Sequence, residues 1–125
     1  MRLFLTKEFA RLARKNDVGD ADLREAVRRA ESGLVDADIG ANLIKQRIAR
    51  KGEGRSGGFR TIVFYKAGDR AVFLHLFAKN QQANLSDHER DAYREFAKFL
   101  AGLTTETMAA LVHERGWKEI QYEAP

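Results

Sequence analysis

The sequence predicts an α+β protein: a pair of helices, then an antiparallel sheet of at least three strands, then further helices. Two observations support this prediction. Apolar residues recur every three or four positions near both ends of the chain, as in amphipathic helices. Between them, residues 43–79 contain three runs rich in β-branched and aromatic residues. Helices packed against one face of the sheet would bury both apolar patterns.

The length and composition are those of one small domain. The chain has 125 residues, and we expect a single domain over residues 1–125, with residues 104–125 as a C-terminal extension. It contains no cysteine, which excludes disulfides and thiolate metal sites. Its N-terminal apolar run is too short for a signal peptide or a membrane span. These features predict a soluble, cytoplasmic protein that does not act in a membrane.

The N-terminal third is expected to form a strand and a helical hairpin. The sequence RLFL at residues 2–5 predicts a short strand. Thr6 is a predicted cap for the first helix and Asp20 for the second, which ends near residues 32–33. Residues 34–41 are expected to form a loop.

Three extended segments form the predicted centre of the fold. They are LIKQRIA (43–49), FRTIVFYK (59–66) and RAVFLHLFAK (70–79). A tight turn at residues 67–69 joins the last two. The glycine-rich KGEGRSGG (51–58) joins the first two, and most of its glycines are interpreted as a flexible hairpin loop.

The C-terminal part predicts two helices. Ser86 begins an S-x-x-E capping box that opens the first of them. Thr104 is a predicted cap for the last helix, which ends near His113. The final apolar stretch, WKEIQY (117–122), is predicted to be either an added strand or a loosely docked tail.

The positive charge is concentrated in one segment. Residues 45–60 contain six Lys or Arg and one Glu, whereas the rest of the chain contains 16 basic and 17 acidic residues. A block of one sign indicates a polyanionic partner: nucleic acid, an acidic protein segment or anionic lipid. A solvated, charged edge strand that resists aggregation is the alternative.

Four cations from three strands are expected to converge. Lys45 and Arg47 are two residues apart and so share one strand face. Arg60 begins the neighbouring strand and Lys79 ends the next one. Such a cluster repels itself, and a phosphodiester would offset that repulsion.

Other functional patterns are missing from the sequence. There is no G-x-x-x-x-G-K-[ST] motif, which argues against a nucleotide triphosphatase. The three histidines lack metal-ligand spacing, so no metal site is predicted. We interpret His75, inside an apolar strand, as a core histidine.

Residues 43–80, LIKQRIARKGEGRSGGFRTIVFYKAGDRAVFLHLFAKN, resemble the RelE/HigB toxins of bacterial type II toxin–antitoxin modules, most closely the HigB-like branch. The run combines a basic strand, a K-G-x-G-[KR]-x-G-G loop, an arginine opening the next strand, and a strand ending F-x-K-N. GLVDADIGANL (33–43) and TKEFARLARK (6–15) also resemble this branch. The resemblance spans roughly residues 3–103.

The resemblance implies both a fold and an activity. The fold is a compact antiparallel RelE-like sheet with an N-terminal helical hairpin, C-terminal helices and an open basic face. The activity is that of an mRNA interferase, a metal-independent endoribonuclease that docks in the ribosomal A site and cleaves translated mRNA. The implied partners are mRNA, ribosomal RNA and a cognate antitoxin protein; no small-molecule cofactor is implied.

The resemblance also implies roles for individual residues. RNA cleavage by the 2′-hydroxyl needs a base, cations that stabilise the phosphorane, and an acid. Lys45 is the candidate base, because crowded cations favour a neutral lysine. Arg47 is expected to bind phosphate and Arg60 the scissile phosphate. Lys79 is the candidate for charge stabilisation or proton donation.

A second group of residues is expected to bind RNA: Arg50, Lys51, Arg55, Asn80 and His88. RelE itself has a tyrosine near the start of its final helix, but the corresponding ANLSDHE of this chain has none. Either His88 substitutes for it or the acid differs. Two alternatives remain for the whole chain, namely a ParE-like gyrase poison and a non-catalytic nucleic-acid-binding module.

Overall fold

A computed structural model describes residues 1–50, 54–78 and 84–123, with the backbone alone for residues 50 and 54–57. Along these residues the elements are β1 (Arg2–Leu5), α1 (Lys7–Lys15), α2 (Asp20–Glu31), β2 (Ala37–Gly40), β3 (Leu43–Arg50), β4 (Gly54–Lys66), β5 (Arg70–Ala78), α3 (Asp87–Ala101), α4 (Thr105–Glu114) and β6 (Lys118–Ile120). The predicted α+β class is confirmed.

One six-stranded sheet, in the order β2-β3-β4-β5-β1-β6, forms the centre of the molecule. The neighbouring strands are antiparallel except β1 and β5, which are parallel. The parallel pair arises because the chain crosses from β1 over α1 and α2 before it builds the rest of the sheet.

Helices cover both faces of the sheet, not one face as expected. Leu3 and Leu5 pack into an apolar cluster with α1 and α2. Phe4, between them, points to the other face and joins a cluster with α3 and α4. Ile62 and Val63 also point to opposite faces. Val63 joins the α1–α2 cluster, Ile62 joins the α3–α4 cluster, and both are at most 1% exposed. A strand that is apolar on both sides needs cover on both sides, so one helical layer is not enough.

The predicted loop at residues 34–41 contains the edge strand β2 (Ala37–Gly40). It pairs with β3 through a tight turn in which Ala41 and Asn42 have positive φ values of 57° and 64°. Two consecutive left-handed residues make the turn that matches strand twist. The usual Asn-Gly signal is missing here, so the hairpin was not predicted.

The glycine-rich segment is also partly strand. A loop was predicted for residues 51–58, but β4 begins at Gly54, which pairs with Arg50 of β3. Residues 51–53 lie outside the described part of the chain. The hairpin is therefore longer than its glycines suggested.

Most helix starts agree with the sequence. Ser86 Oγ accepts from the Glu89 N–H at 3.1 Å, and Glu89 accepts in return from the Ser86 N–H at 3.0 Å, which confirms the capping box. Thr6 and Thr104 also cap their helices. The second helix differs, because Gly19 occupies the cap position and Asp20 is the first helical residue.

The C-terminal residues belong to the same fold as the rest. Met108 of α4 is 1% exposed, and β6 (Lys118–Ile120) pairs with β1. Of the two interpretations of residues 117–122, the added strand is correct. Residues 104–123 thus complete the sheet and one of its two apolar layers.

Candidate active site

Three of the four predicted catalytic cations lie together on one sheet face. Lys45 and Arg47 alternate with residues of the α1–α2 cluster, so they point to the face that α3 and α4 partly cover. Arg60 lies on the same face and pairs directly with Arg47 across β3 and β4. Residues opposite each other on adjacent strands have Cβ atoms about 5 Å apart. The predicted approach of Arg60 to the basic strand is confirmed.

Arg60 is the buried member of this group. It is 6% exposed, whereas Arg47 is exposed. Burial lowers the pKa of the Arg60 guanidinium, and the positive charge of Arg47 lowers it further; Asp36 opposes both. The site therefore holds a desolvated cation beside a second cation, an environment that favours an anion.

The backbone of Arg47 is held by side chains where strand pairing stops. β2 pairs with β3 only as far as Lys45, opposite Ala37. At Arg47 the backbone N–H donates to Asp36 Oδ2 at 2.6 Å, and the carbonyl accepts from Arg29. Arg29 also pairs with Asp36 at 3.2 Å. These bonds satisfy the backbone N–H and carbonyl of Arg47, where β2 no longer pairs with β3, and they fix the position of Arg47 in the sheet.

Gln46 fixes which way the two flanking cations point. It is 1% exposed, and its Nε2 donates to the carbonyl of Ala26 in α2 at 2.9 Å. Its Oε1 accepts from the Asp36 N–H at 2.8 Å. A buried amide with these partners anchors β3 against a one-residue slip, which would turn Lys45 and Arg47 to the opposite face.

Lys45 reaches toward the segment before α3. Its Nζ donates to Asn84 Oδ1 at 3.0 Å. The lysine is half-buried, so this bond holds the ammonium over the sheet face near the first turn of the helix. Lys45 thus lies close to the segment that leads into α3.

The remaining predicted residues are less fully described. Lys51, Lys79 and Asn80 lie outside the described residues, and Arg50 and Arg55 are described by their backbone alone, in β3 and β4. His88 is exposed in the first turn of α3. Their predicted roles stay predictions.

A bulge in β5 turns His75 toward the site face. Val63 pairs with Phe73 and Ile62 with His75, so Leu74 is an extra residue without a partner opposite. Such bulges redirect the side chains next to them. His75 is half-buried, and its ring lies 5.6 Å from that of Phe77, which pairs with Arg60.

His75 is packed between aromatic rings but is only half-buried, so its interpretation as a core histidine stays a prediction. Its ring stacks on Tyr93 of α3 with a centroid distance of 5.7 Å. Burial lowers the pKa of His75, while Glu89 and Glu8 oppose that shift. Burial, followed by the same two carboxylates, raises the pKa of Tyr93 to about 12. A neutral imidazole and a protonated phenol thus lie beside the cations at neutral pH.

Sequence reasoning missed this pair for an identifiable reason. In an apolar run, His75 looks like a filler of the core, and the bulge that redirects it has no glycine to signal it. One signal was present. His75 and Lys79, a predicted site residue, are four residues apart, so in a regular strand both side chains would point to the same face.

Within residues 1–50, 54–78 and 84–123, no three His, Asp or Glu side chains come close enough together to hold a metal ion. No helix in that part of the chain is both long enough and apolar enough to cross a membrane.

Comparison with known proteins agrees with the geometry. The family model described as the RelE toxin of the RelE/RelB toxin–antitoxin system matches residues 1–120. No curated protein matches the chain. The family model does not distinguish the HigB-like branch, which stays an expectation. Because the match covers nearly the whole chain, the protein belongs to the RelE family and is a toxin of a toxin–antitoxin system.

Proposed function

We propose that the protein is a ribosome-dependent mRNA endonuclease that cleaves translated mRNA and so inhibits translation. One observation carries this proposal: Arg47 and Arg60 lie directly opposite each other on one sheet face, with Lys45 next along β3. Three cations on two adjacent strands form a compact receptor for a phosphodiester. Membership of the RelE family supports RNA as its source.

The two arginines are suited to the charge that develops during cleavage. In the reaction the 2′-oxygen bonds to phosphorus and the bond to the 5′-oxygen breaks, which leaves a cyclic phosphate. Negative charge grows on the non-bridging oxygens in between. Arg60, buried and held in the sheet, contacts the scissile phosphate, and the exposed Arg47 reaches the adjacent phosphate. Preorganised donors of this kind stabilise the transition state.

Two groups compete for the role of base. Lys45 is the candidate from the basic strand, and it lies half-buried beside the two arginines. His75 is the second candidate, since burial keeps its imidazole neutral. It pairs with Ile62, which is two residues from Arg60 along β4. The base takes the 2′-OH proton, and an acid returns a proton to the 5′-oxygen. Lys79 is the proposed source of that second proton.

The proposed RNA partners follow from the basic residues between Arg47 and Arg60. Arg50, Lys51 and Arg55 hold further RNA backbone or ribosomal RNA of the A site, and Asn80 and His88 extend the same contact. A cognate antitoxin silences the toxin by covering it. We propose the cytoplasm as the place of action, because translating ribosomes are there.

Mapping of cleaved mRNA tests the proposal. The chain is induced in a bacterial host beside Arg60→Met, which removes the guanidinium and keeps an unbranched apolar side chain, and Arg70→Met, a matched control. Arg70 is also a buried arginine, at the far end of the β4–β5 hairpin. We expect growth arrest and cuts within translated codons for the wild type and the control, and neither for Arg60→Met.

Three results would contradict the proposal. Arrest with intact mRNA and damaged DNA would indicate a gyrase poison. Equal cleavage by wild type and Arg60→Met would exclude this cation set as the site. RNA binding without cleavage by abundant, folded protein would indicate a binding module.

A further inference from the structure

A groove lined mainly by aromatic rings lies beside the proposed active site. Its walls are Leu74 of β5, Tyr93 and Phe96 of α3, Trp117 before β6, and residues 6–8 at the start of α1. The cavity volume is about 340 Å³, near the lower limit for small-molecule pockets. Phe96 and Trp117 meet edge to face, with ring centroids 6.3 Å apart. The groove therefore suits one flat ring system.

The groove is linked to the cations by a chain of packed rings. Tyr93, in its wall, stacks on His75 at 5.7 Å. His75 contacts Phe77 at 5.6 Å, and Phe77 pairs directly with Arg60. Phe77 is only 5% exposed, so these rings do not form an open path; they are a packed layer that places the groove and Arg60 on the same face of the sheet.

A cation lies at the edge of the groove as well. The Lys7 side chain extends across Gly116, where a Cβ atom would come within 3.1 Å of Lys7 Cδ. Gly116 has a φ of 76°, so a glycine is favoured there on both grounds. The lysine is exposed and lies next to Trp117. Cations interleaved with aromatic rings are typical of surfaces that hold single-stranded nucleic acid.

We infer that this groove binds one unpaired nucleobase of the RNA whose phosphate lies on Arg47 and Arg60, with the phosphate of the bound nucleotide on Lys7. The inference rests on the proposed function and adds a binding site to it. The base stacks against Trp117 and Tyr93, which accept any base because each has a π face. Glu8 also lies at the wall, where both of its carboxylate oxygens accept hydrogen bonds from Arg11.

A nucleobase fits this groove better than a protein helix does. A helix bound in a groove presents apolar anchors over two or more turns, which needs a long aliphatic trough. Here the lining has one aliphatic side chain, Leu74, and three rings. The ring chain to Arg60 also ties the groove to the phosphate receptor rather than to a separate surface.

Tryptophan fluorescence provides a direct test, because Trp117 is the only tryptophan of the chain. Wild-type protein is titrated with a short single-stranded RNA carrying 2′-O-methyl groups, which removes the nucleophile and prevents cleavage. We expect saturable quenching of Trp117 that follows the anisotropy of labelled RNA. An oligonucleotide with abasic sites should bind without quenching.

Matched variants separate the aromatic and the ionic contributions. Trp117→Leu keeps an apolar side chain, and we expect RNA binding to weaken at least about fivefold, as for loss of one stacked base. Phe99→Leu is the control for disturbance of α3, since Phe99 is an exposed ring that stacks on Phe96 from outside the groove. Lys7→Gln should reduce the slope of log affinity against log salt by about 0.7. Lys15→Gln, at the other end of α1, should not.

The outcomes are distinct from those that test the endonuclease. RNA binding with unchanged Trp117 emission overturns the groove while the phosphate receptor stands. No binding of free RNA at low salt also overturns it, and ribosomal mRNA cleavage by the wild type then decides the endonuclease separately. Equal losses for Trp117→Leu and Phe99→Leu would show a general effect on the helix, which likewise contradicts the groove.

Discussion

Two buried arginines lie at opposite ends of the β4–β5 hairpin, one in the proposed active site and one next to the turn. Arg60 is 6% exposed and Arg70 is 8% exposed. Arg70 lies next to the carboxylate of Asp69, with its Nε 3.2 Å from Oδ1. Arg60 lies opposite one cation, Arg47, and Arg70 lies opposite two, Lys66 and Arg2. Burial and a facing cation are thus common to both arginines, so neither property by itself identifies a functional cation.

The largest expected difference between the two arginines is in mRNA cleavage. Arg60→Met should lower the rate of ribosomal cleavage by about 10²–10³-fold, as for loss of one preorganised donor to a developing anion. Arg70→Met should leave the rate within about twofold of wild type, since Arg70 lies at the other end of the hairpin. Single-turnover cleavage on stalled ribosomes measures both.

Thermal unfolding of the same two variants is the necessary control. A methionine keeps the volume of either arginine, and replacement of a buried charge by an apolar group is often neutral or stabilising. Both variants should therefore melt close to wild type. If Arg60→Met lost folded protein to the same extent as it lost cleavage, the lost cleavage would reflect unfolding and not the missing guanidinium.

The second expected difference is in stabilisation by an anion. An anion at about ten times its Kd should stabilise the wild type by about 1.4 kcal/mol, which raises Tm by roughly 5 °C for a domain of this size. Tripolyphosphate at constant ionic strength is the probe. The shift should disappear in Arg60→Met and persist in Arg70→Met. An equal shift in both would place the anion elsewhere.

The third expectation concerns the repulsion between Arg47 and Arg60. Like charges directly opposite on two strands destabilise by about 0.2–1 kcal/mol. Arg47→Met should therefore increase the free energy of unfolding by this amount at low salt, and less at high salt. Urea titrations at two salt concentrations measure the gain. Lys15→Met, an exposed lysine at the end of α1, should show no such salt dependence.

The smallest expected effect is the loss of stability in acid that comes from the ion pair between Asp69 and Arg70. Burial raises the pKa of Asp69, but hydrogen bonds and charge from Arg70 and Lys66 outweigh it and lower the pKa below 3.8. This stabilisation is present above the unfolded-state pKa and is lost as pH falls through the folded-state pKa. Arg70→Met should cost a few tenths of a kcal/mol at neutral pH, as for a partly exposed pair.

The same comparison at low pH checks the sign. Below the folded-state pKa of Asp69 the carboxylate is protonated in both proteins, so wild type and Arg70→Met should become equally stable. Urea denaturation at neutral and at strongly acidic pH measures the two differences. A difference that grew in acid would contradict the assigned ion pair.

Much of the fold was predictable because local signals agreed with it. Thr6, Ser86 and Thr104 cap their helices as expected, and the three central strands lie where β-branched and aromatic residues cluster. The approach of Arg60 to Lys45 and Arg47 was also expected from strand order, although its direct pairing with Arg47 was not. Local signals report one chain segment at a time, so these features needed no long-range information.

The misses depend on long-range pairing. The parallel pair of β1 and β5 joins residues about 68 positions apart, and no local pattern in RLFL indicates a partner. The second helical layer follows from strands that are apolar on both sides, which one-sided packing did not account for. His75 was assigned to the core because it lies in an apolar run, whereas the register places its side chain on the same face as Arg60.

The pairing of β6 with β1 has a consequence for how the protein is made. Leu3 pairs with Ile120, so hydrogen bonds that join the first strand to the last form only when residue 120 has been synthesised and has left the ribosomal tunnel. Trp117 enters its aromatic layer at the same late stage. A nascent copy of the chain therefore lacks this edge of its sheet until residue 120 has left the tunnel, after the other strands of the described sheet have been made.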